Sequence, residues 1–431
     1  MRLTAYMNGL RVGWFDQLKA GAIVLEYDRT WQEKGGRREL SLSLPKSRRQ
    51  HSGSEPVNYL WNLLPDNDKV LERWGTKFGV SSRNPLKLLA HVGLDAAGAV
   101  QLVDSEAHDE AVLHGEGGWT PITDAEIAAH LRELRADPAA WVNTQQREGY
   151  FSLPGAQGKF TLLATADGWA TPKGVTASTH IVKPGINGLD RSDLSEHLTM
   201  RAAALLGLHV AESRVIHFED QSAIVITRFD RASDAGGTVV RLHQEDFAQA
   251  TGTHPSAKYQ NEGGPGIATM GKLMWDYFGR VAGKDVPRFF EATLFNWASL
   301  GTDAHAKNYA LRYGPGRTAR PEFAPLYDLG SALAFPDINN RDAKLAMSFG
   351  GHYRGNEIRP RHIRVEAKGI GLDDVWATDR ARQLVVGLPS AFSAAVAELS
   401  LKDEDAAFAA RLVDEAAQRT GVLLKELDSD I

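Results

Sequence analysis

The sequence predicts an α+β protein of more than one domain, with a β-containing first half and a largely helical second half. Its 431 residues exceed what one hydrophobic core usually organises. Short apolar segments of strand type recur up to about residue 241, and amphipathic patterns of helical period dominate beyond 245. The composition is that of an ordinary globular chain, 43% hydrophobic and 24% charged with a formal net charge of −5. That mild acidity argues against a surface built wholly for nucleic acid, while leaving room for a local basic patch. Zero cysteines exclude disulfides, thiolate metal sites and a cysteine nucleophile. No apolar run has the length of a signal peptide core or a membrane span, so the expected location is the cytoplasm, with no membrane partner.

The elements follow in order. LTAYM and LRVGWF flank Asn8-Gly9, a strong hairpin signal, and AIVLEYD supplies a third strand. LSLSLP at 40–45 alternates like a strand. NYLWNLLPD and PLKLLAHVGLD read as helices closed by Pro and Gly signals. The polar stretch DSEAHDEAVLHGEGG suggests a linker near 104–118, followed by a helix, TDAEIAAHLRELRAD, capped by Thr123 or Asp124. From 150 to 241 the segments YFSL, KFTLLAT, THIVKP, SRVIHFE and SAIVITRF predict strands, with one helix, DLSEHLTMRAAALLGL, among them. Beyond 245 helices prevail except at 309–327, and the final sixty residues (VWATDRARQLVVGL, AFSAAVAEL, EDAAFAARLVDEAAQRT) are amphipathic. Domains are expected at 1–107, 108–241 and 242–431.

One stretch asks for a chemical explanation. The apolar pattern FFEATLFNWASL runs directly into Asp303, His305, Lys307 and Asn308 in TDAHAKN, groups that are costly to bury unpaired. The interval from Asp303 to Asn308 is that of protein-kinase catalytic loops, in which the Asp meets the substrate hydroxyl and the Asn holds magnesium. YALRY (309–313) and FAPLY (323–327) alternate like strands around GPGRTARPE. Paired as a hairpin, they make Asn308 and Asp328 neighbours and hence a pair of hard oxygen ligands. Upstream, THIVK resembles the strand whose lysine, here Lys183, contacts nucleotide phosphates. FSLPGAQGKF (151–160) places a small-residue loop between strand-like flanks, with backbone N–H groups able to cradle phosphate. Glu196 falls on the following helix, where kinases place the acid that pairs with that lysine. His305 reads as a support for Asp303 rather than a base, and Lys307 as a cation that steadies the transferring phosphate.

These motifs are similar to those of the HipA-type serine/threonine kinase toxins of bacterial type II toxin–antitoxin modules. The resemblance covers nearly the whole chain: NLLPDN, GLDAAGAV, FSLPGAQGK, THIVKP, ITRFDR, QEDFAQATGTHPSAKYQNEGGPG, TDAHAKN and PLYDL. It implies a two-lobed, protein-kinase-like fold with an extra β-rich amino-terminal subdomain, a small lobe carrying phosphate loop and hinge, and a mostly helical carboxy-terminal lobe. It implies ATP and Mg2+ as cofactors, with Asp303 as catalytic base and Asn308 and Asp328 on the metal. The nucleotide contacts it implies are Pro154, Gly155, Ala156, Gln157, Gly158 and Lys159 in the phosphate loop, then Lys183, a hinge of Thr227, Arg228 and Phe229, and His305, Lys307 and Tyr327. Ser152 falls on the serine that the family phosphorylates on itself. The family's best-studied substrate is an aminoacyl-tRNA synthetase of the glutamyl type, and its antitoxin is a helix-turn-helix repressor with which it binds operator DNA. Ala304 stands where the family commonly has Gly, and Thr227 where Glu is often found, leaving the adenine contact there to the backbone. Two other readings stay open on the residues: a kinase of small molecules or lipids, and a DNA-bound co-repressor with a vestigial kinase site. The basic stretch for the latter is YRGNEIRPRHIRVEAK, with Arg354, Arg359, Arg361 and Arg364.

Overall fold

The structure, a computed structural model, describes residues 1–34, 36, 38–104, 106–115, 117–141, 150–233, 237–314 and 319–428, without the side chains of 106–108. The chain is α+β, as its sequence predicts, and divides into two compact units, each assembled from separate stretches. Residues 1–184, 216–256 and 310–321 form the first; residues 185–215, 257–309 and 322–431 form the second.

The first unit opens with a sheet ordered Gln50–His51, Ile23–Tyr27, Leu10–Gln17, Arg2–Met7, Val100–Val103. Asn8 and Gly9 take φ values of 47° and 74°, which suit the two-residue turn of a hairpin. Helices Ser54–Leu63, Asp68–Phe78 and Pro85–Val92 follow, the last two started by the side chains of Asn67 and Asn84. LSLSLP is not a strand, although Leu40, Leu42 and Leu44 are buried. Its alternate serines turn inward instead: Ser41 and Ser43 Oγ donate to the Gln249 carbonyl at 3.2 and 2.7 Å. The stretch read as a linker holds a helix, Glu106–His114, and the start of strand Gly117–Pro121. Its Glu, Ala and Leu content favours a helix that polarity alone conceals; residues 105 and 116 of that stretch lie outside the described ones.

Thr123 caps helix Asp124–Ala136 through a capping box with Glu126. A second sheet runs Ser213–Phe218, Gln221–Thr227, His180–Lys183, Phe160–Thr165, Gly168–Gly174, Gly117–Pro121. YFSL adds no strand to it, because the Ser152 N–H is taken by the Asp95 carbonyl at 3.0 Å, leaving only a bridge to Ala96. One continuous buried cluster joins both sheets, from Leu3, Phe15 and Trp74 through Trp141 and Phe151 to Phe160, Val182 and Val225. Gln244–Asp246, Ala310–Tyr313 and Pro321–Phe323 form a three-stranded sheet. The expected strand FAPLY is therefore displaced, since Pro325 has no N–H to give a ladder. Residues 315–318 of the intervening turn lie outside the described ones.

The second unit is largely helical: Ser192–Leu205, Ile267–Phe278, Ala282–Ala298, Pro360–Gly369, Asp374–Ala397 and Asp403–Asp428. Strands Lys344–Phe349 and His352–Arg354, joined at Gly350-Gly351, are an exception the sequence reading lacks. Asp374–Ala397 runs unbroken through Pro389. Proline cannot bond the carbonyl four residues back, that of Val385, and the Thr420 hydroxyl donates to it instead at 3.0 Å.

Glu245 is fully buried in the first unit, where its oxygens meet the Ser41 hydroxyl and, at 2.9 Å, the Leu42 N–H. Burial, with Asp246 and Glu39 nearby, pushes its carboxyl from 4.5 up to about 8, against the pull of those two bonds. A carboxyl raised on folding lends stability that is complete below its unfolded value and lost as pH rises through its folded one. The first unit should therefore weaken as pH climbs from about 4.5 to about 8. Glu245→Gln, an uncharged shape mimic, should raise the melting temperature more at pH 8 than at pH 5. A stability difference independent of pH would show that Glu245 is already ionised in the fold.

Candidate active site

The helix Ala282–Ala298 ends in the interior, with Trp297 and Ala298 both 1% exposed. Its last carbonyls therefore need partners from within the protein. The Gly301 N–H bonds the Asn296 carbonyl at 2.7 Å and the Leu300 N–H bonds that of Trp297 at 3.4 Å, the pattern of a Schellman ending. Leu300 takes the left-handed position at φ 55° that glycine usually fills. Gly301 is forced sterically: a Cβ there would lie 2.3 Å from Asn296 Oδ1.

The turn that follows is tied on itself. The Asp303 carbonyl accepts from the His305 N–H at 2.8 Å and from Asn308 Nδ2 at 2.7 Å. The Asn308 N–H donates to the His305 carbonyl at 2.9 Å. Spending its amide N–H2 on Asp303 leaves Asn308 its amide oxygen as an acceptor. His305, Lys307 and Asn308 are buried, whereas the Asp303 side chain is 67% exposed. Tyr259 donates its hydroxyl to Asp303 Oδ1 and meets the His305 ring edge-on at 4.9 Å, while His305 Nε2 stands 3.9 Å from the same oxygen. The neighbouring Lys258 carbonyl accepts from the Ala306 N–H at 3.3 Å. Ala304 is absent from the left-handed residues, so the alanine costs this turn nothing.

Asp328 approaches this turn by a route other than the expected hairpin. Leu326 forms a parallel bridge to Val210, the Tyr327 hydroxyl donates to the Lys307 carbonyl at 2.7 Å, and Ser331 Oγ donates to the Ser299 carbonyl at 2.7 Å. The Ala332 N–H adds a bond to the Leu300 carbonyl at 3.1 Å. Both flanks of Asp328 are thus stitched to the segment 299–308. Asp328 itself sits at φ 56°, a conformation Asp tolerates and one that marks functional positions. Glu196 is buried on helix Ser192–Leu205. The second unit thereby gathers Asp303, His305, Lys307, Asn308, Tyr327 and Asp328.

The first unit holds the loop Pro154–Lys159. Its carbonyls are held by its own lysine and from outside: Pro154 O by Lys159 Nζ at 2.6 Å, Gly155 O by the Asp66 N–H at 2.9 Å, Ala156 O by Asn67 Nδ2 at 3.2 Å. Gly155 takes φ 102°, a backbone conformation that residues with a Cβ rarely adopt. Among the described residues no backbone carbonyl accepts from the N–H groups of 155–158, the state expected of a loop that offers them to an anion. Gln157 Nε2 reaches the Pro184 carbonyl at 2.9 Å, tying the loop to the end of the strand that carries the buried Lys183. Ser152 is fully buried, its hydroxyl donating to the Leu63 carbonyl at 2.8 Å.

In the segment expected to be the hinge, Thr227 closes strand Gln221–Thr227 and its hydroxyl lies 3.4 Å from His180 Nε2. The Arg228 N–H bonds the Thr179 carbonyl at 2.9 Å, and Arg312 donates to the Phe229 carbonyl at 3.3 Å. The Arg228 side chain is buried in an ionic cluster of Asp95, Asp230, Arg231 and Arg241, with bonds to Ser178 Oγ and the Ala96 carbonyl, both at 2.9 Å. Burial alone would raise Asp95 and Asp230, but the guanidiniums hold both below the usual carboxylate range. Arg228 therefore braces the end of strand Gln221–Thr227. Of the basic stretch, Arg354 pairs with Glu357 at 3.2 Å and Arg359 with Glu426 at 3.1 Å. Sequence reasoning gave no role to Tyr259, 44 residues from Asp303, because no spacing links them.

An Asp and an Asn on one turn beside a second Asp, with a strand lysine and an anion-ready loop in the same chain, define the protein-kinase-like class. Residues 3–103 match the HipA N-terminal domain and residues 151–395 the HipA-like C-terminal domain. Y4mE of Sinorhizobium fredii is 35% identical over 374 residues, 86% of each chain. The serine/threonine-protein kinase toxin HipA of Shewanella oneidensis is 28% identical over 421 residues, 94% of this chain and 92% of that one. A solved complex of Shewanella oneidensis MR-1 HipA, HipB and operator DNA contains a chain that superposes with a TM-score of 0.84 at 27% identity, covering 100% of this chain and 99% of that one. The chain belongs to the HipA family of serine/threonine protein kinases. Among the described residues no helix is long and apolar enough to cross a membrane.

Gly301→Ala drives a methyl into Asn296 Oδ1 at the helix end and should cost ~1–3 kcal/mol of stability, as overpacking does. Gly283→Ala, where nothing lies within 4 Å, serves as the control in chemical denaturation and should cost nothing. Equal effects at the two positions would remove the steric requirement at Gly301.

Proposed function

We propose that this protein is an ATP- and Mg2+-dependent serine/threonine kinase acting as the toxin of a toxin–antitoxin pair. The observation that carries this is the turn in which Asp303 stands exposed while its own carbonyl, Asn308 and Tyr259 fix it. A carboxylate held this way orients a substrate serine or threonine hydroxyl and accepts its proton. Tyr259 fixes one carboxylate oxygen, and His305 packs beneath both groups. The N–H groups of Gly155 to Gly158, with Lys159, Lys183 and Lys307, are the donors and cations for ATP phosphates. Thr227 and Phe229 supply hinge carbonyls for adenine. Asn308 and Asp328 offer the hard oxygen donors that magnesium prefers, so the donor set fits the metal. When bound, Mg2+ neutralises charge on the β- and γ-phosphates.

Ser152 is proposed as the self-modified residue. Buried against the Leu63 carbonyl, it becomes reachable only when the segment leading into the loop swings out. A phosphoserine bearing about −1.5 to −2 charges has no place in that buried position. Modification therefore holds the loop out and switches the enzyme off. The HipB and operator DNA of the Shewanella complex support an antitoxin repressor as partner, with DNA bound through that complex. The cellular target we propose is an aminoacyl-tRNA synthetase of the glutamyl type, in a cytoplasmic setting. The intact set of Asp303, Asn308 and Asp328 speaks against a vestigial site.

Incubation with ATP and Mg2+, followed by mass spectrometry, should find phosphate on Ser152 of the wild-type protein. Asp303→Asn should lower that rate by ~10²–10⁴ while leaving the fold intact. Near-normal transfer by a folded Asp303→Asn variant removes Asp303 from the mechanism.

Asp328→Ala should raise the magnesium concentration needed for half-maximal transfer, and Asn308→Ala should do the same. Unchanged magnesium titrations in both variants would sink the metal assignment.

A further inference from the structure

The helix that delivers the catalytic turn is closed by a residue far along the chain. Arg419, on helix Asp403–Asp428, lies beyond residue 395, where the match to the HipA-like C-terminal domain stops. It is 9% exposed, and its Nε donates to the Ala298 carbonyl at 2.7 Å while its terminal nitrogen donates to that of Trp297 at 2.5 Å. These carbonyls belong to the last turn of Ala282–Ala298, the negative end of the helix dipole. Burial alone lowers its guanidinium to about 10, with no carboxylate acting on it, so it stays charged at neutral pH. A buried cation normally requires a counter-charge; here two carbonyls and a helix end provide the compensation. The surroundings are shaped for it. A Cβ on Gly355 would lie 2.8 Å from the Arg419 terminal nitrogen, and the Gly355 carbonyl accepts from Trp297 Nε1 at 2.8 Å.

Immediately after these carbonyls the chain passes Leu300 in its left-handed conformation and reaches Asp303. A non-glycine residue stays in that conformation only where its surroundings over-determine it. Without the guanidinium, the buried Ala298 carbonyl loses its partner and that of Trp297 is left with the long 3.4 Å bond from the Leu300 N–H, so the last helical turn is loosened toward Leu300.

We propose that Arg419 is a positioning residue for the catalytic turn: by capping the Trp297 and Ala298 carbonyls it fixes where Asp303 stands, so the carboxy-terminal helix takes part in phosphoryl transfer without touching a substrate. This rests on the assignment of Asp303 as the base.

The test compares wild type with Arg419→Lys, Arg419→Met and Gly355→Ala in the full-length protein, by steady-state phosphorylation and by amide hydrogen exchange. A displaced base lowers kcat, by about 10²-fold for an ångström-scale shift. The expected order of kcat is wild type, then Lys, then Met, with KM for ATP changed by less than about threefold. Gly355→Ala, which crowds the guanidinium without removing it, should fall between wild type and Met. Exchange should quicken in 299–308 and stay unchanged in 374–397. A role confined to stability would lower the melting temperature yet leave kcat of the folded protein and exchange at 299–308 untouched, overturning the proposal. If Arg419→Met fails to fold, the Lys and Gly355→Ala variants still decide it. If wild type transfers no phosphate, the kinase reading fails, and the exchange data alone show whether Arg419 holds the turn.

Discussion

A helix that ends inside a protein leaves carbonyl oxygens that water cannot reach, and in this protein the satisfaction of those oxygens organises the chemistry. The end of Ala282–Ala298 is completed by Gly301 and Leu300 from its own chain, by Ser331 and Ala332 from the segment after Asp328, and by Arg419 from the last helix. Each of these bonds is a modest term in stability. Together they bring into register three segments that are distant in sequence, and Asp303, Asn308 and Asp328 are placed as a result. The sequence TDAHAKN is polar at the end of an apolar helix because the turn must expose one carboxylate while His305, Lys307 and Asn308 are buried.

The same logic recurs in the first unit. The loop Pro154–Lys159 is shaped by bonds to its carbonyls from Asp66 and Asn67, residues of the NLLPDN stretch near the amino terminus. With the carbonyls occupied, the N–H groups are the polar face left over, which is what a phosphate requires. The amino-terminal stretch is thus part of the loop's support and shares one core with the second sheet. Of the six non-glycine residues with positive φ among those described, two, Leu300 and Asp328, lie in the segments that carry the proposed catalytic groups.

What the sequence made legible was local. Asn8-Gly9 announced its hairpin, Thr123 its helix, and the Asp303–Asn308 interval its turn, because each signal lies within a few residues of the structure it causes. The closeness of Asp328 to that turn was also expected, but by the wrong route. Pro325 denies a long hairpin, and the stitching comes from Tyr327, Ser331 and Ala332, whose partners no periodicity reveals. LSLSLP misled because alternation in a strand and alternation of serines turned to a carbonyl read alike. The hairpin at Gly350-Gly351 carried a local signal that went unread. Tyr259, Arg419 and the buried cluster around Arg228 were out of reach, since their partners are brought together only by the tertiary fold.

The central proposal is that Asn308 and Asp328, brought together within the second unit, form the metal site of the kinase. Crystals grown with a non-hydrolysable ATP analogue and manganese in place of magnesium would test it through the anomalous signal. The expected result is a manganese peak ligated by Asn308 Oδ1 and the Asp328 carboxylate. Manganese bound with the nucleotide on other residues would contradict it.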